Sequence, residues 1–244
     1  MDNIKGGLSY ISWIKFLREP GCPLCTARQH LTRSYIETFL HEYINDLNVR
    51  AKIDQSRGFC NEHAWQIQKM EENVYHDGMK NGIIYEYLIA QLIRELETYR
   101  QRVEQPQPIK TSIFRRNTQT KIYVEMLRIF EKNGKCPVCE HVDLLEGIYA
   151  DEFLRMIRIL KENGFDKKHI FCLKHLLMLL RQSENPEDTK YLLDDQLSKL
   201  NNLHHQLKYY LKHHSYLHKH EPIGEEEATS WIRAVAIFAG HNDS

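Results

Sequence analysis

Apolar side chains recur along most of this chain at three- and four-residue intervals, the period of a helix with one buried face. Between residues 26 and 46 the pattern runs Leu31, Tyr35, Phe39, Leu40 and Ile44. A short helix is predicted over "LNVRAKIDQS", ended by Gly58, and another starts near Cys60 and carries Trp65, Ile67 and Met70. "NGIIYEYLIAQLIRELETYRQRVEQ" then gives a long helix with Ile84, Leu88 and Leu92 along one side. The two prolines of "PQPIKTS", residues 106–112, break the pattern and mark a linker.

Beyond the break a helix is predicted over about 114–133, stopping at "NGK". A helix over 140–162 follows, then "NG", then a helix through Cys172 and His175. Asn185 has the character of an N-cap and Pro186 that of a first helical residue. From there Leu193, Leu197, Leu200, His204, Leu207, Leu211, His214 and His218 keep a four-three spacing, a coiled-coil-like seam that turns to histidine. "GEEEATSWIRAVAIFAG" predicts a short amphipathic helix that groups Trp231, Val235 and Phe238, with Glu225–Glu227 in its favourable first turn. The fold class is all-α, a helical bundle ending in a long coiled-coil-like helix and an amphipathic one. Scarce glycine (11) and proline (7) also argue against an all-β sandwich.

The cysteines change the picture. There are six, and they fall in a repeat: "CPLC" with "GFCNEH" behind it, then "CPVC" with "IFCLKH" behind it. Leu31, Tyr35, Phe39 and Leu40 stand 114 residues before Leu145, Tyr149, Phe153 and Leu154, and Glu37 stands the same distance before Asp151. Phe59, Cys60 and His63 match Phe171, Cys172 and His175 after a two-residue contraction. This reads as two copies of one metal-site unit, packed with pseudo-twofold symmetry. Residues 1–105 would form the first unit and 113–244 the second with the long helix and the C-terminal amphipathic helix, all expected as one compact domain.

Cys-x-x-Cys makes a knuckle whose sulfurs converge, and Pro23 and Pro137 suit a first helical position, where no amide donor is needed. A cysteine and a histidine three apart share one face of a helix. Each knuckle with the Cys-x-x-His that follows it makes a Cys₃His set: Cys22, Cys25, Cys60 and His63, then Cys136, Cys139, Cys172 and His175. A closed set of four is the pattern of structural zinc, and two Zn²⁺ ions are expected. A glutaredoxin-like Cys-Pro-x-Cys is the stronger rival, yet such sites follow a strand and no strand pattern precedes residue 22 or 136. Iron–sulfur clusters usually take four cysteines, against three and a histidine here.

Charge and composition narrow the function. Lysine plus arginine and aspartate plus glutamate both number 33, so no general attraction to nucleic acid or an acidic membrane is expected. The N-terminal segment has no secretory pattern and no apolar run approaches the length of a membrane helix. The expected location is the cytoplasm, where thiols stay reduced and paired cysteines act as ligands. No glycine-rich phosphate loop, G-x-S-x-G elbow or HExxH motif occurs. Of 14 histidines, six lie between His204 and His220, and His214 and His218 are spaced to share an ion. Mixed surface and seam positions are the plainer account of them. A polar pocket of Tyr216, His218, Glu221 and Trp231 is a further enzymatic alternative.

The ordered motifs resemble a widespread prokaryotic family known only as a domain of unknown function. Its members carry Cys-Pro-x-Cys, a "GFCNxHAWQL"-like stretch and an "LGxAILYxxLL"-like stretch, here "CPLC", "GFCNEHAWQI" and "NGIIYEYLI". A second Cys-Pro-x-Cys and Cys-x-x-His stand here as "CPVC" and "FCLKH". The end resembles "KHDYRF…EPxGxExxxWxRAV…AG", here "LKHHSYLHKHEPIGEEEATSWIRAVAIFAG", with His214 in place of the family-like aspartate. The resemblance spans nearly the whole chain. It implies the paired sites and supplies no activity. The expectation is a cytoplasmic zinc-binding protein with a structural, interaction or regulatory role; no partner is named by the sequence, and a protein partner is one option. A thiol–disulfide or metal-sensing role for the Cys-Pro-x-Cys pairs is the alternative.

Overall fold

The computed structural model describes residues 8–104, 123, 124, 127, 131, 134–163, 169–214 and 222–240. Among these the structure is helical, with no strand beyond an isolated bridge between Gly21 and His169. Leu8–Arg18 forms α1, Pro23–His41 α2, Leu47–Gln55 α3, Asn61–Met70 α4 and Met79–Glu104 α5. Pro137–Asn163 forms α6, Leu173–Gln182 α7 and Pro186–His213 α8. Two short helices, α9 (Glu225–Ala228) and α10 (Ser230–Ala239), follow. The all-α expectation holds. The expected linker at 106–112 lies outside the described residues. So does the helix expected over 114–133, save Tyr123, Val124 and Leu127, which are helical, and Glu131, whose amide donates to Leu127 O at 2.8 Å.

Contacts gather the chain into two compact units, one of Met1–Thr32 with Val142–Ser244 and one of Arg33–His141. In the first, α1 contributes Trp13, Phe16 and Leu17 to a core that also holds Leu24, Phe153, Ile157, Phe171 and Leu179. Their i, i+3, i+4 spacing in α1 sets one apolar face. Trp13 and Phe153 lie 5.2 Å apart, and Phe153 meets Phe171 edge-on at the same distance. Each such buried aromatic contributes about 1.5–3 kcal/mol. Phe171 immediately precedes Cys172, so this core fixes one ligand's backbone.

The long helix α8 starts as predicted: the Asn185 side chain accepts from Glu187 N at 2.9 Å, and Pro186 follows it. Its buried face is not the predicted seam. Leu193, Leu197 and Leu211 are 38 %, 56 % and 62 % exposed, while Asp188, Leu192, Gln196, Leu203 and Gln206 are buried. The polar members of that face have tertiary partners. Gln196 accepts from Phe171 N at 3.1 Å and donates to Phe171 O at 2.8 Å, holding the residue before Cys172 at both backbone groups.

In the second unit Ile36, Phe39, Leu40, Ile53, Phe59, Ile67 and Ile84 are buried. Phe39 and Phe59 meet edge-on at 5.2 Å, just before Cys60. Asp46 caps α3, accepting from Asn48 N at 2.8 Å and Val49 N at 3.0 Å. Gly58 ends that region as predicted: at φ +91 its amide reaches Ile53 O at 2.8 Å. A π-helical turn, Glu71–Tyr75, continues α4, which the sequence reading did not anticipate. Buried Glu71 accepts from Lys80 N and Asn81 N at 2.6 and 2.9 Å, satisfying donors in the first turn of α5.

Candidate metal centres

One local device occurs four times. Cys22 O accepts from Thr26 N at 3.1 Å, Cys60 O from Ala64 N at 2.9 Å, Cys136 O from Glu140 N at 2.9 Å and Cys172 O from Leu176 N at 2.8 Å. Each of these cysteines is therefore the residue just before a helix, and its partner three positions on lies in the first turn. Cys60 and Cys172 have the extended backbone of an N-cap, ψ 166 and 161. The sulfur and the following Cys25, His63, Cys139 or His175 side chain then point to one spot. All eight donors sit at positive helix ends, which favours thiolate.

The pairs assemble in a crossed manner. Cys22 and Cys25 meet Cys172 and His175, all buried, within the first unit. Cys136 and Cys139 meet Cys60 and His63 within the second. In each group the donor atoms lie within 4.8 Å of one another. This corrects the expectation that each knuckle closes with the Cys-x-x-His that follows it. The motif spacing specifies only an i, i+3 pair. Between Cys25 and Cys60 the chain runs through α2, whose 19 residues extend about 28 Å at 1.5 Å each. After Cys139 it runs through α6, 27 residues or about 40 Å. Helix length and direction decide which pair meets which.

The geometry fits one tetrahedral ion per group. In the first, His175 Nδ1 lies 3.2 Å from Cys22 Sγ, 3.3 Å from Cys25 Sγ and 3.2 Å from Cys172 Sγ. Cys25 and Cys172 sulfurs are 3.8 Å apart. A regular tetrahedron with metal–sulfur bonds of about 2.3 Å has an edge of about 3.8 Å. In the second, His63 Nδ1 lies 3.2, 3.6 and 3.3 Å from the sulfurs of Cys60, Cys136 and Cys139, and Cys60 and Cys139 are again 3.8 Å apart.

The two surroundings differ. Behind the first group, His175 Nε2 meets Glu146 Oε1 at 2.8 Å, and buried Glu146 also accepts from Arg28 Nη1 at 2.9 Å and Lys174 Nζ at 3.0 Å. Burial alone would raise the Glu146 carboxyl; its bonds to His175 and Lys174 and the Arg28 charge outweigh that and hold it at about 2. Burial would lower His175, but Cys172, Cys25 and Glu146 keep its imidazolium up to about 10. Burial pushes the Cys22 thiol well above its usual range, while hydrogen bonds from Cys22 and Cys25 drive Cys172 far below. In the second group Cys60 and Cys139 are half-buried, and burial with neighbouring thiols lifts Cys139 to about 12. Clustered thiols resist ionisation together unless a cation sits among them.

Sequence reasoning missed Glu146, Arg28 and Lys174. The repeat offered no signal, because the position 114 before Glu146 is Thr32. Of the histidine-rich stretch, Tyr216, His218 and Glu221 lie outside the described residues. His214 is exposed, with Nδ1 at 2.9 Å from Tyr210 O. Among the described residues no further Cys, His, Asp or Glu group gathers as these two do.

Fold and site thus define an all-helical protein with two Cys₃His clusters able to hold a metal ion. Residues 13–243 match the family of unknown function DUF6062, and the chain belongs to that family. It is 22 % identical over 229 residues to an uncharacterized 23.9 kDa protein from the xynA 3' region of Caldicellulosiruptor sp. (strain Rt8B.4), covering 93 % of this chain and 98 % of the relative. No solved structure matches.

Proposed function

We propose that this is a zinc protein in which two closed Cys₃His centres hold a helical scaffold with a structural or interaction role. The observation that carries the reading is the convergence of three sulfurs and one Nδ1 in each cluster at tetrahedral spacing, with no fifth donor from the motif. Thiolate-rich sets favour zinc over magnesium or calcium, and a histidine among three cysteines favours it over an iron–sulfur cluster. The reading places the chain in the cytoplasm, where thiols remain available. No helix among the described residues is long and apolar enough to cross a membrane. Elemental analysis and an absorbance spectrum of protein from zinc-replete culture, never exposed to chelator, test it. Two zinc ions per chain are expected. Well under one metal per chain, or iron–sulfur absorption, overturns it.

The half-buried Cys60 and Cys139 favour a second reading confined to their centre, oxidative metal release. Two thiolates would give two electrons to peroxide, forming a disulfide and water and freeing the ion. Thiol counting before and after mild peroxide decides it: full retention of thiols and zinc removes this reading and leaves the structural one.

A further inference from the structure

A cavity of about 580 Å³ opens in the first unit between α8 and α10. Small-molecule sites run from about 300 to 1,000 Å³. Buried Leu203 and Ile237 form its floor, and Ile170, Trp231, Ile232 and Val235 add apolar walls. Two cationic residues line it, Lys199 and Arg233, and no described lining residue is Asp or Glu.

The two cations are held differently. Lys199 donates to Asp195 Oδ2 at 2.6 Å and lies 3.1 Å from His169 Nε2, so an acid already answers its charge. Arg233 donates to Gln206 Oε1 at 2.9 Å and to the Glu226 backbone carbonyl. Both acceptors are neutral and both bonds use Nη2, leaving Nη1 and Nε without a partner among the described residues. Gln206 donates its amide to the Glu226 carboxylate at 2.7 Å, which orients the Gln206 carbonyl oxygen that holds Arg233. A guanidinium positioned by neutral groups at the edge of an apolar cavity matches a planar anion with a hydrocarbon body.

We propose that this cavity binds a small apolar monocarboxylate, with the acid group on Arg233 and the hydrocarbon over Leu203, Ile237 and Trp231. The candidate ligand Cys22 also lines the cavity, so zinc content is measured beside binding in every variant, and a loss of binding at parental zinc content separates this proposal from the zinc reading.

Isothermal titration of the full zinc-loaded chain with decanoate, decanol and decylamine tests it. Saturable decanoate binding is expected, about 10- to 100-fold tighter than decanol, with decylamine weakest. R233Q should bring decanoate down to the decanol level with zinc content and helicity unchanged. A236W keeps the arginine but fills the cavity, and should weaken all three. Absence of saturable decanoate binding, equal affinity for decanoate and decanol, or an R233Q protein that keeps the preference overturns the proposal. So does an A236W protein that binds decanoate like the parent.

Discussion

Glu146 shows what a single side chain contributes around a candidate metal centre. With an ion bound, a neutral His175 donating from Nε2 to Glu146 at 2.8 Å would keep its one imidazole proton there and leave the Nδ1 lone pair for the ion. Arg28 and Lys174 keep the acid ionised, so it cannot donate back. E146Q keeps the shape and removes the charge. Zinc affinity at the Cys22, Cys25, Cys172 and His175 centre should fall about 10- to 100-fold, read by competition with a chromogenic chelator. The other centre should hold its ion unchanged. Equal affinity at both centres in E146Q would contradict the role. The eight donors themselves were legible in sequence because each pair is an i, i+3 unit at a helix start. Glu146 was not, because its role exists only once α6 and α7 pack.

At the scale of elements, helical periodicity located α2 to α8, read α9 and α10 as one helix, and placed Gly58 after α3 and the N-cap of α8. It misjudged the inward face of α8. A leucine scores as buried wherever the period allows, and a glutamine scores as exposed. Gln196 is buried because it pairs both backbone groups of Phe171, an interaction with no local signature. Q196L would leave that donor and acceptor unpaired in the core. It should cost about 1–3 kcal/mol in urea unfolding of the zinc-loaded protein, more than the apolar gain returns. An unchanged midpoint would mean that the segment before Cys172 is held by Phe171 packing alone. At α3 the cap is separable from the metal: D46A should cost about 0.5–2 kcal/mol while leaving zinc content at its parental value.

Over the whole molecule, the repeat was visible and the exchange of partners was not. A motif repeated in tandem suggests two self-contained sites, because sequence records spacing along the chain and is silent on the path of the helices between. Here each centre joins ligands from both halves of the repeat, with long intervening loops in the unfolded chain. Metal binding to such sets is coupled to folding, so removing the ions should lower the thermal midpoint sharply and broaden the transition. Exposure predicts an order of loss. A thiol-directed reagent should release the ion of the half-buried Cys60 and Cys139 centre before that of the buried one, seen as two kinetic phases of zinc release.

Zinc stoichiometry in two double variants tests the crossed arrangement most directly. C25A/C172A removes two ligands from one crossed centre and should retain one zinc per chain. C25A/C60A removes one ligand from each centre and should leave neither intact, with well under one zinc retained. The reverse result, one zinc in C25A/C60A and none in C25A/C172A, would mean that each knuckle closes with its own following Cys-x-x-His and would contradict the account.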